Sequence, residues 1–118
     1  MEYNADFAYD LAVGQMSELA LGDIFQNRTI EVKADLKAKN TGNLFIEYES
    51  RGKPSGIATS QADYWCFHIS NLFIIIDTET LKNIVRPLLG TSADKRGGDE
   101  NSSKGVLLPL TTLLKQVK

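Results

Sequence analysis

Glu31 and Lys33 stand two residues apart in a segment, residues 28–35, whose polar and apolar residues alternate. In a strand the side-chain period of two puts Glu31, Lys33 and Asp35 on one face and Ile30, Val32 and Ala34 on the other. Phosphodiester hydrolysis needs such a group. Carboxylates hold a divalent cation that polarises the phosphoryl oxygen and lowers the pKa of a bound water. A neighbouring ammonium orients or deprotonates that water, or steadies the charge that develops in the transition state. Asp23, eight residues before Glu31, can supply a second carboxylate where an N-terminal helix turns into the sheet. The backbone carbonyl of Val32 is a natural further ligand for a hard cation. A bare Glu-x-Lys is common on exposed strand faces, where it makes cross-strand ion pairs. Here it is accompanied by an amphipathic helix, an upstream acid and an apolar back face.

These residues need elements to position them. Phe7, Leu11, Ala12, Met16 and Leu19 fall at helical spacing and predict a helix over 6–21, stopped at Gly22, with Glu18 at the edge of its buried arc. The alternating segment 28–35 predicts a strand, and residues 40–43 a turn. Residues 44–49 predict a second strand, antiparallel to the first because the connection is short. A basic loop over 50–56 and a short helix over 60–67 follow. Leu72 to Asp77 reads as a central strand covered on both faces, and 79–89 as a helix that Pro87 ends or kinks. Residues 90–105 read as a polar loop, 106–108 as a short strand and 110–116 as a terminal helix or turn. The order α-β-β-α-β-α-β-α predicts one α/β domain over 1–118, with a mixed central sheet flanked by helices.

The helix, Asp23 and the Glu31-Val32-Lys33 strand together resemble the PD-(D/E)xK nuclease superfamily, which includes restriction enzymes and Holliday-junction resolvases. The stretch from Thr41 to Gly56, followed by Ala62-Asp63-Tyr64-Trp65, is similar to small phage and bacterial members of that group. The resemblance spans residues 14–77. It implies a restriction-endonuclease-like α-β-β-α-β core, Glu18, Asp23, Glu31 and Lys33 as catalytic residues, and Asp23, Glu31 and the Val32 carbonyl around Mg²⁺ or Mn²⁺. The implied activity is metal-dependent DNA endonuclease, structure-selective or junction-resolving. A non-catalytic DNA- or protein-binding accessory module on the same fold is the alternative.

Other residues have secondary roles in this reading. Glu47 is a neighbour or second-metal ligand of the site, or a solvated strand carboxylate. Gln61 lies beside it. Arg51, Lys53 and Ser55 form a loop suited to phosphate contact, with small residues allowing close backbone approach. Asp35 is read as the partner of a nearby lysine, Cys66 and His68 as flanking the core, and Tyr64 and Trp65 as core aromatics.

Composition bounds the chemistry. The single Cys and single His exclude an internal disulfide framework and a dedicated zinc site, so any metal is held by oxygen. The net charge of −2 is uneven: residues 1–27 carry five acids and no base, leaving 13 bases against 10 acids in the remainder. The charges of 94–105 cancel, so that loop is not expected to clamp DNA. Leu72 to Ile76 is too short an apolar run to cross a bilayer. No signal sequence is read, so a cytoplasmic location is expected, in a bacterial or phage-infected cell. So small a catalytic domain has little surface to grip a duplex, which leads to the expectation of a homodimer acting on DNA.

Overall fold

The alternating segment does form a strand, and its pairing sets the rest of the architecture. In the computed structural model, which describes residues 5–115, β1 (Ile30–Ala34) runs parallel to β4 (Tyr64–Ile69). β4 in turn pairs antiparallel with β5 (Leu72–Asp77), giving a mixed three-stranded sheet of order β1-β4-β5. The second sheet is antiparallel throughout. It comprises β3 (Lys53–Pro54), β2 (Asn43–Ser50), β7 (Ser103–Pro109) and β6 (Asp94–Gly97), in that spatial order. Arg51 and Gly52, both with positive φ, make the two-residue turn between β2 and β3, the geometry that matches strand twist in a tight hairpin.

The two sheets share one core. Leu44, Ile46, Val106 and Leu108 from the second sheet join Trp65, Phe67 and Ile69 from β4. Leu81, Ile84 and Val85 of helix α3 (Thr78–Val85) complete it. The Asp77 carboxylate accepts from the Thr80 amide at 3.0 Å and so caps α3. Pro87 falls in the 3₁₀ turn Arg86–Leu88 that ends the helix, as the sequence suggested. The chain is thus mixed α/β, built on two sheets instead of the single one expected.

The first two strands do not pair with each other. A short helix, α2 (Ala38–Thr41), occupies the connection and sends β2 into the other sheet. Asp35 fixes that junction. Its carboxylate accepts from the Ala38 amide at 3.0 Å and from the Phe45 amide at 3.0 Å. It therefore serves backbone donors, where the sequence suggested a lysine. Two hydrogen bonds to a half-buried carboxylate carry about 2–3 kcal/mol. Asp35→Ala is expected to lower the urea-unfolding free energy by about that amount, with Asp35→Asn intermediate.

Other boundaries shift for tertiary reasons. Residues expected as a helix over 60–67 form much of β4, because Trp65, Cys66, Phe67 and Ile69 are all buried at the centre of a sheet. Leu72 to Asp77 is an edge strand, with Leu72 and Phe73 exposed, and β4 takes the central place. Part of the expected loop 90–105 folds as β6. β7 extends well beyond 106–108, and the last helix, α4, spans Leu110–Leu114; Gln116 lies outside the described residues.

Helix α1 (Ala5–Asn27) departs furthest from expectation. It continues through Gly22, and every residue from 9 to 21 is exposed, including the Met16 and Leu19 assigned to a buried arc. The molecule measures 66 by 28 by 26 Å, with a radius of gyration of 17.5 Å, whereas a compact chain of this length has about 13–14 Å. No helix among the described residues is long and apolar enough to cross a membrane.

Candidate active site

Pairing decides which face of β1 meets the core. Glu31 lies opposite Trp65 and Lys33 opposite Phe67 on β4, so all four side chains project from one face of the sheet. That face is the inner one, since Trp65 and Phe67 are buried. The polar side of β1 therefore sits at the rim of the core. The apolar side faces out, with Val32 60% exposed.

An open cleft of about 470 Å³ lies against this edge. It is lined by Glu31 and Lys33 of β1, Glu47 of β2, and Gly56, Ser60 and Gln61 of the segment that follows β3. The Lys33 ammonium stands 5.8 Å from the centre of the Trp65 ring, an electrostatic contact that limits where the long side chain can swing. The Trp65 indole is itself held, donating from Nε1 to Ser60 Oγ at 3.1 Å. Lys33 is thus positioned over a fixed aromatic surface at the cleft wall.

Glu47 lies at the cleft on the face it shares with Phe45, and a local irregularity follows it. The register between β2 and β7 shifts between Glu47 and Glu49, where Tyr48 is the extra residue of a bulge. One inserted residue inverts the alternation of side chains. Glu47 lies opposite Gly105, while Glu49 is opposite Lys104 and pairs with it at 3.6 Å on the other face. The sequence placed Phe45, Glu47 and Glu49 on one face; the bulge separates Glu49 from the others. Tyr48 turns away to donate to Asp94 at 2.7 Å. That bond pushes the Tyr48 phenol up to about 12. The Asp94 carboxyl is lowered, first by the Gly90 amide and then by Tyr48.

The turn Gly56–Ala58 presses against Glu47 from the other side. Gly56 has φ +54°, and a Cβ there would overlap the Glu47 backbone carbonyl. Ser55 donates its amide to the Tyr48 carbonyl at 3.0 Å and its hydroxyl to a Glu47 carboxylate oxygen at 3.0 Å. Ser55 therefore orients Glu47, where the sequence suggested a phosphate contact. Arg51 and Lys53 are exposed in and beside the hairpin turn and do not line the cleft.

The hydrogen-bond pattern also fixes the Val32 carbonyl. Thr29 O accepts from the Tyr64 amide and the Asp35 amide donates to His68 O, so odd-numbered residues of β1 face β4. The peptide groups of Val32 then point to the free edge of the sheet.

Two expected acids are not brought to the cleft, and Val32 is not among the residues that line it. Glu18 is exposed on the projecting part of α1. Asp23, in the last part of that helix, accepts from Asn27 at 2.9 Å and from Arg28 Nε at 3.1 Å. These partners, Asn27 first, lower its carboxyl. Neither acid lines the cleft. The physical reason is that α1 runs on through Gly22 instead of turning back, so the helix end faces Arg28 and not β1. Among the described residues no three His, Cys, Asp or Glu side chains converge as a metal cage. Cys66 is buried and burial pushes its thiol up, which leaves it inert as a nucleophile.

Sequence reasoning named Glu31, Lys33, Glu47 and Gln61 but did not foresee Trp65 as the platform for Lys33. It also missed Lys95 and Arg96, which border an adjoining groove. No family model matches this chain, and neither the curated proteins nor the solved structures hold a match to it.

Proposed function

We propose that the chain is a divalent-metal-dependent DNA endonuclease of the PD-(D/E)xK type, with its site in the cleft beside β1. The observation that carries this reading is the meeting of Glu31, Lys33, Glu47 and Gln61 at one cleft from three separate segments. Two carboxylates and a strand-edge carbonyl fit Mg²⁺ or Mn²⁺. Mg²⁺ usually keeps several waters and uses only one or two protein carboxylates plus substrate phosphates, so a closed cage of acids is not required. Glu31, Glu47 and the Val32 carbonyl would hold the cation, with Glu47 in the place that the sequence gave to Asp23. Bound there, it would polarise the phosphoryl group and acidify a water. Lys33, held over Trp65, would orient the attacking water and stabilise negative charge in the transition state. Gln61 would hydrogen-bond the phosphate or that water.

The test is incubation of wild type and Glu31→Ala with plasmid, single-stranded, flap and four-way-junction DNA, with and without Mn²⁺. Cleavage by wild type that Glu31→Ala loses supports the assignment. Equal cleavage by both overturns it. The alternative, a non-catalytic DNA- or protein-binding module on this fold, draws on Asp23 being tied to Arg28 outside the cleft. It predicts no cleavage of any form.

The same reading includes a homodimer. α1 exposes Phe7, Tyr9, Met16, Leu19 and Phe25, and the outer face of the first sheet exposes Val32 and Phe73. Phe25, Val32, Phe73 and Ile75 border an apolar hollow of about 370 Å³ on that face. Two copies can cover the exposed Met16, Leu19, Val32 and Phe73 by exchanging helices. Sedimentation is expected to show a dimer that Met16→Glu with Leu19→Glu converts to monomer, with the thermal transition of the core retained. A monomeric wild type would remove the dimer and leave the cleft assignment standing.

A further inference from the structure

A second, larger groove of about 680 Å³ adjoins the cleft and shares Lys33, Glu47 and Gly56 with it. Its other cations are Lys37, from the turn before α2, and Lys95, from β6; Arg96 borders the groove but lies opposite Lys104 and projects from the other face of the strand. Topology brings them together. Glu47 pairs with Gly105 and Gly105 with Lys95, so Glu47 and Lys95 project from the same face of the second sheet, two strands apart. The strand between them contributes no side chain there. A Cβ at Gly105 or at Gly97 would run into the Phe45 ring, so Phe45 packs down over both glycines and the groove has a floor instead of a ridge.

The two acids in the groove are already engaged: Asp35 by the Ala38 and Phe45 amides, and Glu47 by Ser55. Among the described residues, neither Lys37 nor Lys95 is in an ion pair. Asp94, whose charge cancels Lys95 in the sequence, is turned away to Tyr48 and the Gly90 amide. The neutral composition of 94–105 therefore hides a one-sided distribution. Lys37 and Lys95 are both exposed, and Asp94 faces away from the groove.

We propose that this groove is a phosphate-backbone track, in which Lys37 and Lys95 hold the DNA strand as it leaves the cleft. This rests on the endonuclease reading for the identity of the polyanion, and it assigns to β6 a role that the sequence did not show. Backbone contacts of this kind position a strand without reading its sequence. They leave a signature, because each phosphate neutralised releases counterions and adds to the salt dependence of binding.

The experiment separates the two readings by measuring binding without metal. Anisotropy of a labelled DNA duplex, and of one of its single strands, is recorded in EDTA over a salt series. The proteins are wild type, Lys37→Ala with Lys95→Ala, and Lys82→Ala with Arg86→Ala on the α3 side as a charge-matched control. The groove variant is expected to bind about tenfold more weakly at low salt, with the log-log salt slope reduced by roughly 1 per cation removed. The control is expected to match wild type, and Lys37→Arg with Lys95→Arg to restore the slope. Both groove residues are exposed, so unchanged melting checks the fold. Slopes equal in the groove variant and the control, or no binding by wild type, would overturn the track. If the groove variant loses binding while wild type cleaves no DNA, the track stands and the nuclease falls. If wild type cleaves and the groove variant binds and cleaves equally well, the reverse holds.

Discussion

Lys33→Met is expected to reduce DNA cleavage by about 10²–10³-fold, the usual contribution of a positioned proton-transfer or charge-stabilising group. The melting temperature should scarcely change. The Lys33 side chain is exposed, and its contact with the Trp65 ring is worth about 0.5–1 kcal/mol at such a site. Glu31→Ala is expected to cost at least as much activity. Lys33→Arg separates two roles. A guanidinium keeps the charge but cannot give up its proton near neutral pH, so retained activity would show that charge alone matters at this position. Lost activity would show that the ammonium handles the water. The measurement is single-turnover cleavage at saturating Mn²⁺, with metal-free DNA binding recorded on the same variants.

Gly56→Ala is expected to be the most damaging single methyl group in the protein. Two costs fall on one position. The backbone holds φ +54°, a conformation that disfavours any side chain, and the added Cβ meets the carbonyl of Glu47, which belongs to a paired strand and cannot swing aside. We expect a loss of about 3 kcal/mol, or roughly 10 °C in melting temperature. Gly42→Ala is the control, since Gly42 shares a positive φ of 73° but a Cβ there meets nothing. It is expected to lose about 1 kcal/mol from backbone conformation alone. The excess at Gly56 then measures the steric overlap with β2. Because that overlap pushes on Glu47, Gly56→Ala is also expected to lower cleavage below the temperature at which it melts, whereas Gly42→Ala leaves cleavage unchanged. Equal melting shifts in the two variants would show that the turn does not press on Glu47.

The strand around Glu31 was legible because alternation is a local property: a period of two puts Glu31 and Lys33 on one face whatever the strand pairs with. Helix α3 and its end at Pro87 were legible for the same reason, through periodicity and a missing amide. Residues 60–67 were not. A short apolar run suits a buried strand or a buried helix equally, and only its place between β1 and β5 decides.

By itself, then, the sequence determined the pairing of an acid and a lysine on one strand face, the oxygen-only character of any metal site, and the mixed α/β class. Tertiary structure decided which carboxylate stands with Glu31. Asp23 lies eight residues away along the chain, yet it is turned to Arg28 by a helix that continues past Gly22. Glu47, sixteen residues away, stands at the cleft because its strand lies in the second sheet, with Ser55 and the glycine turn packed against it. It also decided that β1 turns its charged face to the core rim and leaves its apolar face open, and that Lys95 shares a face with Glu47. Side-chain alternation is set by neighbours along the chain, whereas convergence depends on register between distant strands, and one inserted residue in that register reverses every side chain beyond it.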